Sequence, residues 1–148
     1  MRMDLRLNGH PATWEIRPDA MLVETLRDAG LTGTKEGCAA GVCGLCTVLV
    51  DDRPVSSCLY LTACVADREV WTIEGLAQRC PTVVDRFCEH EAMQCGICTP
   101  GQIVALCAAR LRGATAPPDL VEYLSGNLCR CTGYQTILAA GEASLADD

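Results

Sequence analysis

Twelve cysteines stand among 148 residues, and eight of them fall into two spaced sets. Cys38, Cys43, Cys46 and Cys58 follow C-x4-C-x2-C-x11-C, the first three inside the stretch GCAAGVCGLC. Those three reproduce the plant-type ferredoxin spacing for a 2Fe-2S cluster. Four thiolates around such a cluster leave it negatively charged, so the loop holding it must bend tightly and aim backbone N–H groups at sulfur. Gly37, Gly41 and Gly44 lie between and beside the ligands, where the absence of a Cβ permits that bending. A structural zinc site could use the same four thiolates, but zinc knuckles are built from two short C-x2-4-C pairs, and x4 followed by x2 fits iron-sulfur better. Rieske chemistry needs two histidine ligands, and His10 and His90 are near no suitable cysteine pair.

Cys95, Cys98, Cys129 and Cys131 form the second set, C-x2-C-x30-C-x-C. Taken alone it is less specific, and zinc is an open competitor. An internal echo bears on it: Cys98-Thr99-Pro100-Gly101-Gln102-Ile103 resembles Cys131-Thr132-Gly133-Tyr134-Gln135-Thr136-Ile137. Each copy reads as a cysteine, a threonine able to cap, then a helix. Both thiolates would lie near the positive end of a helix dipole, and two such ends facing each other would form a pocket for an anionic group. Cys64, Cys80, Cys88 and Cys107 remain. Cys107 lies on an apolar helical face, and all four read as small buried hydrophobes, with nothing nearby in sequence to activate a thiolate.

The elements that must position these cysteines divide the chain. Residues 2–7 alternate, Asn8-Gly9 is a tight-turn dipeptide, and Ala12 to Ile16 is again extended, which predicts a β-hairpin. Asp19 is placed to cap a helix with Leu22, Val23 and Leu26 on its apolar face, stopped by Gly30. After the cysteine loop, strands are predicted at Thr47–Val50, near Pro54–Ser57 and at Glu69–Ile73. Beyond Gly75 the periodicity becomes helical, with runs around Val83–Phe87, Ile103–Leu111, Leu120–Leu124 (introduced by Pro117-Pro118) and Ile137–Ala143. No Gly-, Ser- or Pro-rich linker separates the halves, so they are expected to pack together.

A net charge of −7 argues against nucleic acid or an anionic membrane as the main partner. No apolar run reaches the roughly 18 residues of a membrane span, and the N-terminal stretch offers no h-region, so the cysteines are read as cytoplasmic metal ligands and not as disulfides.

Together, GTKEGCAAGVCGLCTV, SSCL, QCGICTPG and NLCRCTGY resemble the small iron-sulfur subunit of the molybdenum hydroxylases, the xanthine oxidase family, over nearly the whole chain. The resemblance implies an α+β fold: a plant-ferredoxin-like β-grasp lobe over residues 1–75, then a four-helix bundle over 76–148, each carrying one 2Fe-2S cluster. It assigns Cys38, Cys43, Cys46 and Cys58 to the flavin-side cluster and Cys95, Cys98, Cys129 and Cys131 to the one nearer molybdenum. Gln94 and the backbone around Cys131 would hydrogen-bond the pterin of a molybdopterin cytosine dinucleotide held by a large subunit. FAD would sit in a medium subunit, and the assembly would be a dimer of heterotrimers acting on an N-heteroaromatic or a purine. Relatives acting on carbon monoxide, aldehydes or aromatic acyl-CoA thioesters are the alternative, and a stand-alone ferredoxin-like carrier a further one. No catalytic residue is expected on this chain. Ile97 stands where the family often has an aromatic and Val42 where it often has an acid, while Arg130, between two ligands, could donate to a cluster sulfur or to the partner, or equally make an ordinary surface salt bridge.

Overall fold

The first hairpin of the computed structural model, which describes residues 1–112 and 119–146, joins β1 (Arg2–Leu7) to β2 (His10–Glu15). Asn8 and Gly9 both have positive φ, as a two-residue hairpin turn requires. Alternation along β1 buries Met3 and Leu5 and turns Arg2, Asp4 and Arg6 outward.

Helix α1 (Leu22–Asp28) starts later than its expected cap at Asp19. Met21 is held extended by a β-bridge to Leu61, which moves the N-cap to Met21, and Glu24 accepts the Met21 N–H at 3.1 Å. Asp19 instead faces Arg17 at 3.5 Å. Gly30, at φ +86°, ends the helix as expected, its N–H donating to the Arg27 carbonyl at 3.0 Å.

Strands β3 (Thr47–Val50), β4 (Arg53–Ser56) and β5 (Glu69–Trp71) complete a five-stranded sheet in the order β2-β1-β5-β3-β4. The β1–β5 pair is parallel and the others antiparallel. All four residues of β3 are buried because both faces of the strand are covered. Val48 and Val50 join Met3, Leu5, Leu22, Leu26 and Val70 in one core, whereas Leu49 belongs to the core of the helical half. The two halves therefore share a strand, in line with the missing linker.

Among the described residues the helical half holds five helices where the sequence led us to expect four: α2 (Ile73–Arg79), α3 (Pro81–Glu89), α4 (Thr99–Leu111), α5 (Leu120–Leu124) and α6 (Gln135–Ala146). Helix α2 begins at Ile73, inside the stretch expected as strand. It gave little periodic signal because it carries an interior glycine and fully buries only Leu76. Helix α4 is buried continuously from Gly101 to Ala109, since it runs through the middle against β3, α2, α3 and α6. Asp119 caps α5, accepting the Val121 and Glu122 N–H groups at 2.9 and 3.1 Å; Pro117-Pro118, expected to introduce that helix, lie outside the described residues. No helix among the described residues is long and apolar enough to cross a membrane.

Candidate metal centres

The loop from Gly37 to Cys46 winds around its own first thiol. The Ala40, Val42 and Cys43 N–H groups all point at Cys38 Sγ, at 3.4, 3.4 and 3.5 Å. Donation to the charged form stabilises a thiolate. The N–H groups of Ala40, Cys43 and Val42, together with the Cys43 side chain, bring the Cys38 thiol down to about 6. To curl this tightly the loop places Ala39, Gly41 and Gly44 at positive φ. Gly44 is additionally obliged to lack a side chain: a Cβ there would collide with the Gly126 carbonyl and stand 2.7 Å from Asn127 Nδ2. Cys46 is buried immediately before β3, and Cys58 lies in the short 3-10 turn Ser57–Leu59. Ser57, fully buried, ties these two segments together by donating its hydroxyl to the Cys46 carbonyl at 2.6 Å and its N–H to the same oxygen at 3.3 Å. Burial and the neighbouring Cys46 push the Cys58 thiol up.

The second set is gathered from the loop before α4 and the loop before α6. Cys95 and Cys131 sulfurs stand 3.5 Å apart, and Cys98 lies against Cys129. Burial, then Cys129, push Cys98 up to about 12. Cys129 moves the other way: burial opposes ionisation, but the Thr132 hydroxyl and N–H and the Cys131 N–H hold its thiol below the ordinary value. Thr132 Oγ1 sits 3.2 Å from Cys129 Sγ and accepts the Tyr134 N–H at 3.0 Å, while the Tyr134 hydroxyl accepts the Cys129 N–H at 2.8 Å. Leu45, Ile97, Cys98, Leu128, Arg130 and Tyr134 line the cavity that these sulfurs face.

Among the described residues no three His, Cys, Asp or Glu side chains gather as ligands of one metal ion. The eight thiols meet two by two: Cys38 with Cys43, Cys46 with Cys58, Cys95 with Cys131, Cys98 with Cys129. Two cysteine pairs per site is the donor set of a cluster with two irons, so the residues present suit the group that their spacing suggests.

A family model described as a 2Fe-2S iron-sulfur cluster binding domain matches residues 5–71, and another, a [2Fe-2S] binding domain, matches residues 72–142. The chain is 42% identical to the xanthine dehydrogenase iron-sulfur-binding subunit of Escherichia coli O157:H7, covering 92% of this chain and 89% of that protein. It is 42% identical to the nicotine 6-hydroxylase small subunit of Paenarthrobacter nicotinovorans, covering 95% and 87%. A chain of quinoline 2-oxidoreductase from Pseudomonas putida 86 superimposes with a TM-score of 0.87 at 41% identity, covering 97% of this chain and 95% of that one. The chain belongs to the small 2Fe-2S subunits of the molybdenum hydroxylases.

Several features of this iron-sulfur subunit were not read from its sequence. Asn127 joins the two sites: its Nδ2 donates to the Gly44 carbonyl at 3.1 Å and to Thr47 Oγ1 at 3.2 Å, and Thr47 Oγ1 itself donates to Gly44 at 2.7 Å. Gln102, fully buried in α4, donates through Nε2 to the Asn127 carbonyl. The next residue, Leu128, donates its N–H to the Cys43 carbonyl at 2.9 Å. A lone amide in the apolar run of α4 was the available signal for Gln102, because a buried amide needs a partner. Ser57, Asn127 and Tyr134 had none beyond lying near cysteines.

Other expectations need correcting. Thr99 does not cap α4: the N-cap is Cys98, which leaves Thr99 inside the first turn with its buried hydroxyl unpartnered. Thr132 makes a tight local turn, and α6 begins only at Gln135, so the echo holds for the cysteines but not for their threonines. Cys64 and Cys88 are exposed, not buried, whereas Cys80 and Cys107 are buried as expected. Val42 and Ile97, the departures from the family pattern, are both exposed beside the thiols. Gln94 is exposed too, on a shallow cavity with Phe87, Met93 and Thr132.

Proposed function

We propose that this subunit, organised as domains 1–75 and 76–148, conducts electrons from a molybdopterin site on a large subunit to FAD on a medium subunit, within a cytoplasmic dimer of heterotrimers. Cys95, Cys98, Cys129 and Cys131 hold the cluster that receives electrons, and Cys38, Cys43, Cys46 and Cys58 the one that passes them on. Each 2Fe-2S cluster, when bound, supplies one-electron redox chemistry. The chain's own residues fix where the two sit: one hydrogen bond, from the Leu128 N–H to the Cys43 carbonyl, joins the peptide next to Cys129 to a ligand of the other site. That contact is the observation on which the reading rests most, because it links the two sets through one hydrogen bond and the covalent bonds of only three residues, Cys43, Leu128 and Cys129. Exposed Gln94 and the backbone at Cys131 are available to hydrogen-bond a pterin, here assigned as that of a molybdopterin cytosine dinucleotide. Relatives named for nicotine, nicotinate, caffeine and quinoline support an N-heteroaromatic or purine as the substrate of the assembly.

Iron and acid-labile sulfide analysis of anaerobically prepared protein tests the ligand sets. Two irons and two sulfides per site are expected, with visible absorption that bleaches on reduction; a colourless protein holding zinc would overturn the assignment. Isolation of the chain always alone, without a molybdopterin-binding partner, would overturn the assembly.

A further inference from the structure

Thr132 is a half-buried residue that directly follows Cys131, yet its hydroxyl faces a different cysteine. Oγ1 lies 3.2 Å from Cys129 Sγ and at the same time accepts the Tyr134 N–H at 3.0 Å. A hydroxyl that accepts from an amide still has its own hydrogen to donate. When Cys129 serves as a ligand its sulfur carries no proton, so the hydrogen of this pair belongs to Thr132 and the sulfur accepts it.

The backbone is distorted around this contact. Gly133 and Tyr134 both stand in the left-handed region, at φ +64° and +68°. Glycine adopts that conformation freely, whereas an aromatic residue does not. The two together turn the Tyr134 N–H back on to the Thr132 side chain, and the Tyr134 hydroxyl closes the ring by accepting the Cys129 N–H at 2.8 Å. Strained residues of this kind collect at functional sites. Thr99, the echoing residue after Cys98, supplies the contrast: it is 8% exposed, and its buried hydroxyl has no hydrogen-bond partner among the described residues. Of the two echoing hydroxyls, one therefore meets a ligand sulfur and the other does not.

We propose that Thr132 is a positioning residue for electron transfer, whose hydroxyl donates to the Cys129 sulfur and so raises the reduction potential of the cluster at Cys95, Cys98, Cys129 and Cys131 above that of the same site without the hydroxyl. This rests on the assignment of Cys129 as a cluster ligand. Reduction adds one negative charge to a centre already carrying four thiolates, and a donor aimed at one of those sulfurs stabilises the added charge. The hydroxyl keeps its proton throughout, so one electron is gained and no proton moves. A higher potential at the cluster that receives electrons from the molybdopterin site favours their arrival.

Redox titration of the holoprotein, followed by EPR, tests the role. Thr132→Val replaces the hydroxyl by a methyl group of nearly the same size. Its second cluster is expected to titrate at a more negative potential than the parent's, with shifted g-values, while the first cluster stays where it was. Thr132→Ser restores the donor and is expected to bring the potential back towards that of the parent. Thr99→Val makes the same change at a hydroxyl that meets no sulfur and is expected to leave the potential unmoved. The inference is overturned if the loaded Thr132→Val cluster titrates with the parent's or if Thr99→Val shifts it equally. It is also overturned if Thr132→Val and Thr132→Ala fail to load a cluster that Thr132→Ser holds, since the hydroxyl would then be a structural part of its turn. A parent protein without iron at the second site would overturn the ligand assignment itself, a result distinct from an unshifted potential in a loaded variant.

Discussion

In the loop between α1 and β3, three of four thiols fall within nine residues, and three backbone N–H groups converge on one sulfur. In the helical half, the thiols come in two pairs of neighbours separated by thirty residues, and their surroundings are mostly side chains: Tyr134, Thr132 and the packing that buries Cys98. The first site is therefore built largely by local backbone conformation, which the core on the α1 side merely anchors. The second exists only while α3, α4 and α6 stay packed. Loss of helical packing should empty the second site first.

The strongest test of that difference is Phe87→Ala. Phe87 is fully buried in α3 and borders the cavity shared with Met93, Gln94 and Thr132, and deleting a buried Phe costs about 3–5 kcal/mol. The expected result is a large drop in urea midpoint and loss of the cluster proposed for Cys95, Cys98, Cys129 and Cys131, with the EPR signal of the other retained. Equal loss of both signals would show that the two sites are not independent in this sense. Cys43→Ser and Cys98→Ser sharpen the comparison from the ligand side: each is expected to abolish one cluster and halve the iron content, leaving the other spectroscopically intact.

A smaller effect is expected at the joint. Asn127→Ala removes the donor to Gly44 and Thr47; the Gly44 carbonyl keeps the Thr47 hydroxyl and N–H, so the cost is that of lost hydrogen bonds, about 0.5–1.5 kcal/mol each. Both clusters should still assemble, but the magnetic interaction between them in fully reduced protein should change, and the Leu128 amide should exchange faster with solvent. An unchanged EPR splitting would mean that the Leu128–Cys43 contact holds the halves without help.

The smallest effect concerns pH and belongs to the sheet alone. The Glu69 N–H, against slight burial and with Arg68 assisting, holds the Asp51 carboxyl below its ordinary value. A lowered folded-state value means that this contribution is present above the unfolded value, about 3.9, and is lost as pH falls through the folded one. Because the side chain is 46% exposed, solvent screening keeps the effect below about 1 kcal/mol. Urea midpoints of Asp51→Asn and the parent should differ slightly near neutrality and converge in acid.

Legibility followed the same division. The Asn8-Gly9 hairpin and the cysteine loop could be read directly because turns and ligand spacing are properties of neighbouring residues. Helix α2 could not, since Gly75 and a single fully buried Leu76 leave no periodic pattern. Asp19 was misread as a cap because the bridge between Met21 and Leu61 is a contact across forty residues of chain. Thr99 was misread because the helix starts one residue earlier than a capping threonine would place it, with Cys98 as the N-cap.

By itself the sequence determined that eight cysteines fall into two spaced sets, and the C-x4-C-x2-C spacing of the first named the kind of centre that a short loop of that length suits. It also determined the class of fold, through a change from twofold to helical periodicity. The tertiary structure alone decided which thiol meets which, that Asn127 and Leu128 join one site to the other, and that Cys80 and Cys107 are buried in one core. Those contacts join residues tens of positions apart, and only the packing of α4 against β3, α2, α3 and α6 brings them within reach.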